Sequence, residues 1–154
     1  MAIGNRGRKR VKKSGVIYFA VNSRCPDMVK IGMSIDSAEA RLISANKRNE
    51  FMCGRWSITQ KVKTNDVRRT EDLSHKIFSD FFDKESVSRE MYFIPPNMTV
   101  KQMADNVREK DKVLLNQLEK QEAARVELEQ AQAKLKAVND ETEIMIALNN
   151  DCSQ

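Results

Sequence analysis

The sequence predicts an α+β chain: a small central antiparallel sheet flanked by helices in the order ββαβαβ, followed by a long C-terminal helix with coiled-coil character. Three observations predict it. All nine aromatic residues fall between Tyr18 and Phe93, which confines a hydrophobic core to that stretch. The 61 residues after Phe93 contain no aromatic residue and are rich in Glu, Gln, Lys, Ala and Leu, the composition of a long helix. Between Gly15 and Phe93, short runs of strand-forming residues alternate with stretches of helical period. At 154 residues the chain is long enough for one domain with a sizeable core.

"GVIYFAVN" (Gly15 to Asn22) is a β-rich apolar run. "SRCPD" is a loop of turn-forming residues leading into "MVKIG", so the two runs read as an antiparallel hairpin. "SIDSAEARLISANKRN" supplies Ser and Asp caps and an apolar stripe at Ala38, Leu42 and Ala45, which predicts a helix from about Asp36 to Lys47. "RWSITQKVK" alternates at Trp56 and Ile58 before turning polar, and reads as a half-exposed third strand. "NDVRRTEDLSHKIFSDFFDK" opens on Asn and Asp caps and sets Val67, Leu73, Ile77, Phe78 and Phe81 on one side of a second helix, expected to supply much of the core. "EMYFI" is a last short strand, stopped by Pro95 and Pro96, where the domain boundary is expected.

Beyond the prolines, Thr99 and Gln102 form a capping box. A heptad frame with Val100 at a then carries Met103, Val107, Leu114, Ala124, Leu128, Ala131, Leu135, Val138 and Met145 through a and d positions, interrupted at Lys110, Gln117, Gln121 and Thr142. A continuous helix there spans about 70 Å at ~1.5 Å per residue. The expected organisation is a basic arm over residues 1–14, a folded domain over 15–97, a long helix over 98–148 and a tail over 149–154. The helix is expected to pair with a second copy or with a protein partner, or else to fray as a solvated tail, since a narrow seam alone has little to bury itself against.

The net charge of +5 divides unevenly. Met1 to Asn97 holds 19 Lys and Arg against 11 Asp and Glu, whereas Met98 to Gln154 holds 8 against 11. A basic excess confined to the aromatic part is the footprint of a polyanion partner. "NRGRKRVKKS" (Asn5 to Ser14) concentrates it: Arg6, Arg8, Lys9, Arg10, Lys12 and Lys13 form either a solvated arm or one that contacts phosphates without reading bases. Cys25, Cys53 and Cys152 are widely spaced and there is one histidine, which argues against a structural zinc site and for a reducing compartment. With no long apolar window and no apolar leader, a soluble cytoplasmic protein without a membrane segment is expected.

A few polar residues stand out within the apolar domain. Lys30 interrupts the run "MVKIG", and either faces water on one side of its strand or is aimed at something that approaches the backbone at Gly32. Tyr18 lies on the other arm of the hairpin; an ammonium beside its phenol would favour the phenolate and make it a usable base. Arg41 offers a planar fork for phosphate oxygens. His75 is either a proton carrier or a satisfied structural histidine. Glu90 can hold one divalent ion if phosphate and water complete the shell, as is usual for magnesium. Together these would make a one-metal phosphodiester hydrolase.

The spacing of these residues resembles the GIY-YIG nuclease superfamily. "GVIY", ending at Tyr18, is similar to its first element, and "KIG", followed by Ser34, to its second; Arg41 in "EARLISAN" and Glu90 in "REMYF" match its helix arginine and its glutamate. Lysine in place of the second tyrosine, with "RTEDLSHKIF" as the next helix, looks like the phage T5 open-reading-frame 172 branch. The resemblance covers about Gly15 to Phe93. It implies an endonuclease that cleaves DNA with Mg2+ or Mn2+. Tyr18, alone or with His75, would generate or orient the attacking water, and Lys30 would tune Tyr18 or hold the phosphate. Arg41 would neutralise the developing charge, Glu90 would bind the metal, and Gly32 and Ser34 would lie where the DNA backbone comes close. Two other readings stand beside it: a DNA-binding or regulatory module that grips without cutting, and a partner-binding protein acting through the coiled coil.

Overall fold

The computed structural model describes residues 11–48, 54–86 and 88–151. It shows an α+β domain built on a four-stranded antiparallel sheet. The elements are β1 (Gly15–Asn22), β2 (Cys25–Ser34), α1 (Ala38–Arg48), β3 (Trp56–Thr64), α2 (Val67–Ile77), a 3-10 turn (Ser79–Phe81), β4 (Met91–Phe93) and α3 (Val100–Asp151). The sheet order is β3-β1-β2-β4. The hairpin read from "GVIYFAVN" and "MVKIG" therefore forms the centre of the sheet, and the two shorter or more polar strands form its edges.

Each face of the sheet buries its own layer. On one, Tyr18, Ala20, Met28, Trp56 and Met91 pack with Ala38 and Leu42 of α1. The stripe Ala38, Leu42 and Ala45 is the buried side of α1, as its spacing predicts. On the other face, Ile17, Phe19, Val29, Ile31, Val62 and Tyr92 pack with Val67, Phe78 and three residues of α3. Trp56 and Val62, six residues apart on β3, would share a face in a regular strand. They serve different faces because the register with β1 shifts between Phe19 and Ala20, which pair with Gln60 and Ile58. The extra residue, Thr59, is a β-bulge that turns the rest of the strand over.

Two expectations need correction. The buried residues of α2 are Val67, Thr70 and Ser74, while Leu73, Ile77 and Phe81 are only half buried. Small polar residues face the core there because each hydroxyl is satisfied: Thr70 Oγ1 donates to the carboxylate of Asp111 at 2.8 Å and Ser74 Oγ to the carbonyl of Thr70 at 2.7 Å. The helix also ends at Ile77, short of the stretch read as helical, and continues as the 3-10 turn.

The second correction concerns the boundary expected at Pro95 and Pro96. The first compact unit runs to Asp111, and Lys112–Gln154 forms a second. Met103, Ala104 and Val107 of α3 are fully buried in the core of the first unit. Asp111 closes the contact, accepting from Thr70 Oγ1 at 2.8 Å and from Arg69 Nη2 at 3.1 Å. Because α2 turns small polar residues inward, this face of the sheet needs a second apolar cover, and the start of α3 provides it. Burying Met103 and Val107 is worth about 1.5–3 kcal/mol each. The capping box forms: the Thr99 backbone N–H donates to Gln102 Oε1 at 2.8 Å, and the Gln102 backbone N–H to Thr99 Oγ1 at 3.2 Å. No helix among the described residues is long and apolar enough to cross a membrane.

Candidate active site

The site begins with the register of the central hairpin. Tyr18 pairs with Gly32 and Ala20 with Lys30, so Lys30 stands diagonally across from Tyr18 on the face covered by α1. Its Nζ lies 5.5 Å from the centre of the Tyr18 ring. Lys30 is 0% exposed, which rules out the reading in which it faces water. A buried ammonium needs a counter-charge, and Glu90 supplies it: Lys30 Nζ donates to Glu90 Oε2 in an ion pair whose carboxylate side is 26% exposed. The Glu90 backbone carbonyl accepts the Ile31 N–H at 2.9 Å, which fixes the glutamate at the entry to β4, beside the lysine.

Gly32 lies directly beneath the Tyr18 ring. The position is buried, and a Cβ placed there would lie 2.6 Å from the Tyr18 hydroxyl oxygen and 2.7 Å from its Cζ. Glycine is required there because the phenol of Tyr18 lies across it.

Glu90 opens into a groove of roughly 670 Å³. Ser34 and the exposed Arg41 line the same groove, so the structure brings together three of the expected residues from β2, α1 and the start of β4. Three further charged residues line it: Asp36, read from the sequence only as a helix cap, and Arg48 and Glu71, neither of which was singled out in the sequence. Arg48 lies seven residues after Arg41, two turns along one side of α1; Glu71 is four residues before His75 on α2. Helical spacing from a residue already chosen was the available signal for both.

His75 is placed apart from Tyr18. Its Nδ1 is hydrogen-bonded to the hydroxyl of Tyr92, which belongs to the core layer on the opposite face of the sheet. Its Nε2 lies 3.9 Å from Glu71 Oε1. Burial, and secondarily the charge of Glu71, pushes the Tyr92 phenol up to about 12, so its O–H stays protonated. His75 reaches the groove through that glutamate. Of the expected DNA-contacting arm, Arg6, Arg8, Lys9 and Arg10 lie outside the described residues, while Lys12 and Lys13 are exposed just before β1.

The model of the T5orf172 domain family matches residues 15–110, more than half of the chain. The chain belongs to the T5orf172 domain family. Its matched stretch ends one residue before Asp111, where the first compact unit ends, so the T5orf172 domain includes the opening turns of α3. The family points to a nuclease-like or DNA-associated role, consistent with the GIY-YIG resemblance. Neither a curated protein nor a solved structure matches the chain.

Proposed function

We propose that the T5orf172 domain of this chain is a metal-dependent endonuclease that hydrolyses phosphodiester bonds in DNA. The observation that carries this reading is the groove in which an exposed arginine, Arg41, faces the same space as a glutamate held in place by a buried lysine. Arg41 and Arg48 offer planar forks for phosphate oxygens and for the charge that grows on them during attack. Ser34 adds a hydroxyl to the same wall.

The residues fit a magnesium or manganese ion. No group of three metal-binding side chains occurs among the described residues, so a metal here takes one or two carboxylates and completes its shell from water and the substrate phosphate, the usual habit of Mg2+. Glu90 would hold it, with Asp36 and Glu71 lining the same groove. When bound, such an ion polarises the phosphoryl group and stabilises the leaving oxygen. Lys30 sets the position of Glu90. Tyr18 has no exposed surface and lies behind Lys30, so its part in this reading is to support the lysine that holds Glu90. The basic arm, Arg6 to Lys13, adds affinity through phosphates.

The test is nicking of supercoiled plasmid by the full chain with Mg2+, Mn2+ or chelator. Metal-dependent nicking that falls by about a hundredfold or more in Glu90→Gln and Arg41→Ala is expected, the cost of losing one transition-state contact. A second reading, a module that binds DNA without cutting, is favoured by one observation: Lys30 already neutralises Glu90. DNA binding with no product under any metal would establish it.

A further inference from the structure

Beyond Asp111, α3 carries an apolar seam with a charge pattern that selects one partner. In the heptad frame, a is Leu114, Gln121, Leu128, Leu135 and Thr142, and d is Gln117, Ala124, Ala131, Val138 and Met145. Leu128, Leu135, Val138 and Met145 are between 57% and 64% exposed. The g positions are Lys120, Glu127, Lys134 and Glu141, alternating in sign every seven residues. Among the described residues none of these four has an ion-pair partner in its own chain, whereas Arg125, at e, is held by Glu122 at 2.6 Å and Glu129 at 3.7 Å.

We propose that residues 112–146 pair with a second copy of the chain as an antiparallel two-stranded coiled coil in a single register, with Leu128 against the second copy's Ala131 and Leu135 against its Ala124. In an antiparallel pair each a residue meets a d residue, and g residues flank g residues. This register sets each of the two leucines against an alanine, so that large and small side chains interdigitate. It also sets Lys120 across from Glu141 and Glu127 across from Lys134, and the two-fold axis repeats both contacts. A slip of one heptad in either direction turns these contacts into lysine against lysine and glutamate against glutamate. Parallel pairing is disfavoured by the same residues. There g meets e five residues on, which puts Lys120 against Arg125 and leaves Glu127 and Lys134 facing Gln132 and Asn139, while Ala124 and Ala131 each stack on themselves. Only the antiparallel register uses all four charges favourably, and e and g charges of this kind set partner choice and orientation.

The pairing is independent of the endonuclease reading, and its test needs no DNA. The full chain should sediment as a dimer. With Cys25, Cys53 and Cys152 changed to serine, Glu127→Cys and Lys134→Cys proteins are treated with a short bis-maleimide, separately and mixed. The mixed dimer should be the dominant product, with little from either protein alone. Lys120→Glu with Lys134→Glu should abolish the dimer while retaining the helical and sheet signals of the domain, and mixing with Glu127→Lys and Glu141→Lys protein should restore it. A monomeric or higher-order wild type, self-linking of either cysteine protein as fast as the mixture, or a doubly inverted protein that still dimerises would each overturn the proposal.

Discussion

One heptad frame runs through α3, yet its first three turns and the remainder meet different fates. Met103 and Val107 are fully buried against the sheet, whereas Leu128 and Leu135 stand more than half exposed. The sequence pattern is the same in both. The difference lies in what the rest of the chain offers: the sheet face left open by the polar side of α2 takes the first turns, and the later turns find no cover among the described residues. Periodicity states that a stripe will be buried; the surrounding fold decides by what.

That contrast can be broken most forcefully by placing a charge on each half of the seam. Met103→Asp leaves a carboxylate in the core and should cost at least ~3 kcal/mol, enough to unfold a marginal domain by thermal melting. Leu135→Asp should leave the melting of the domain unchanged while abolishing association by sedimentation. Equal effects of the two substitutions on melting would erase the distinction between the two units.

A smaller effect is expected inside the first unit. Lys30→Met removes the buried ammonium but strands only a partly exposed carboxylate, so its cost should fall near or below the ~3–5 kcal/mol typical of breaking a buried pair. Chemical denaturation measures it. Glu90→Gln, which leaves the ammonium fully buried without its counter-charge, should be the more destabilising of the two. The opposite order would mean that Lys30 is not held by Glu90.

The smallest effect concerns pH. The Tyr92 phenol titrates near its ordinary value of about 10 in the unfolded chain and at about 12 in the folded one. Its contribution is fully present below pH 10 and is lost as the pH rises toward 12, because the unfolded state releases the proton first. Tyr92→Phe should therefore flatten the decline of stability over that window, in melts compared at matched pH. An unchanged slope would separate Tyr92 from the burial assigned to it.

Much of this architecture was legible in the sequence because it rests on local rules. The hairpin, the stripe of α1 and the capping box of α3 all involve residues within a few positions of one another. What escaped depended on partners distant in the chain. The polar inner side of α2 makes sense only once Asp111 is seen to accept from Thr70, 41 residues away. The Lys30–Glu90 pair spans 60 residues, so the sequence marked both residues without joining them. His75 was marked as well, but its hydrogen bond to Tyr92 ties it to the face opposite Tyr18, and no spacing along α2 states which side of a sheet a helix will cover. The bulge at Thr59 is invisible for a related reason: a strand of alternating residues looks the same with or without one extra residue until its neighbour fixes the register.

The contact of Tyr18 with Gly32 has a meaning for descent as well as for packing. "GVIY" and "KIG" read as two separate signatures, but their last letters describe a single touching pair, one residue supplying the ring and the other the vacancy it fills. A lineage that enlarges position 32 must also shrink position 18, and one that loses the ring leaves a hole above a glycine with no remaining reason to be one. The two signatures therefore form one packing unit, and a change of size in either would have to be answered in the other.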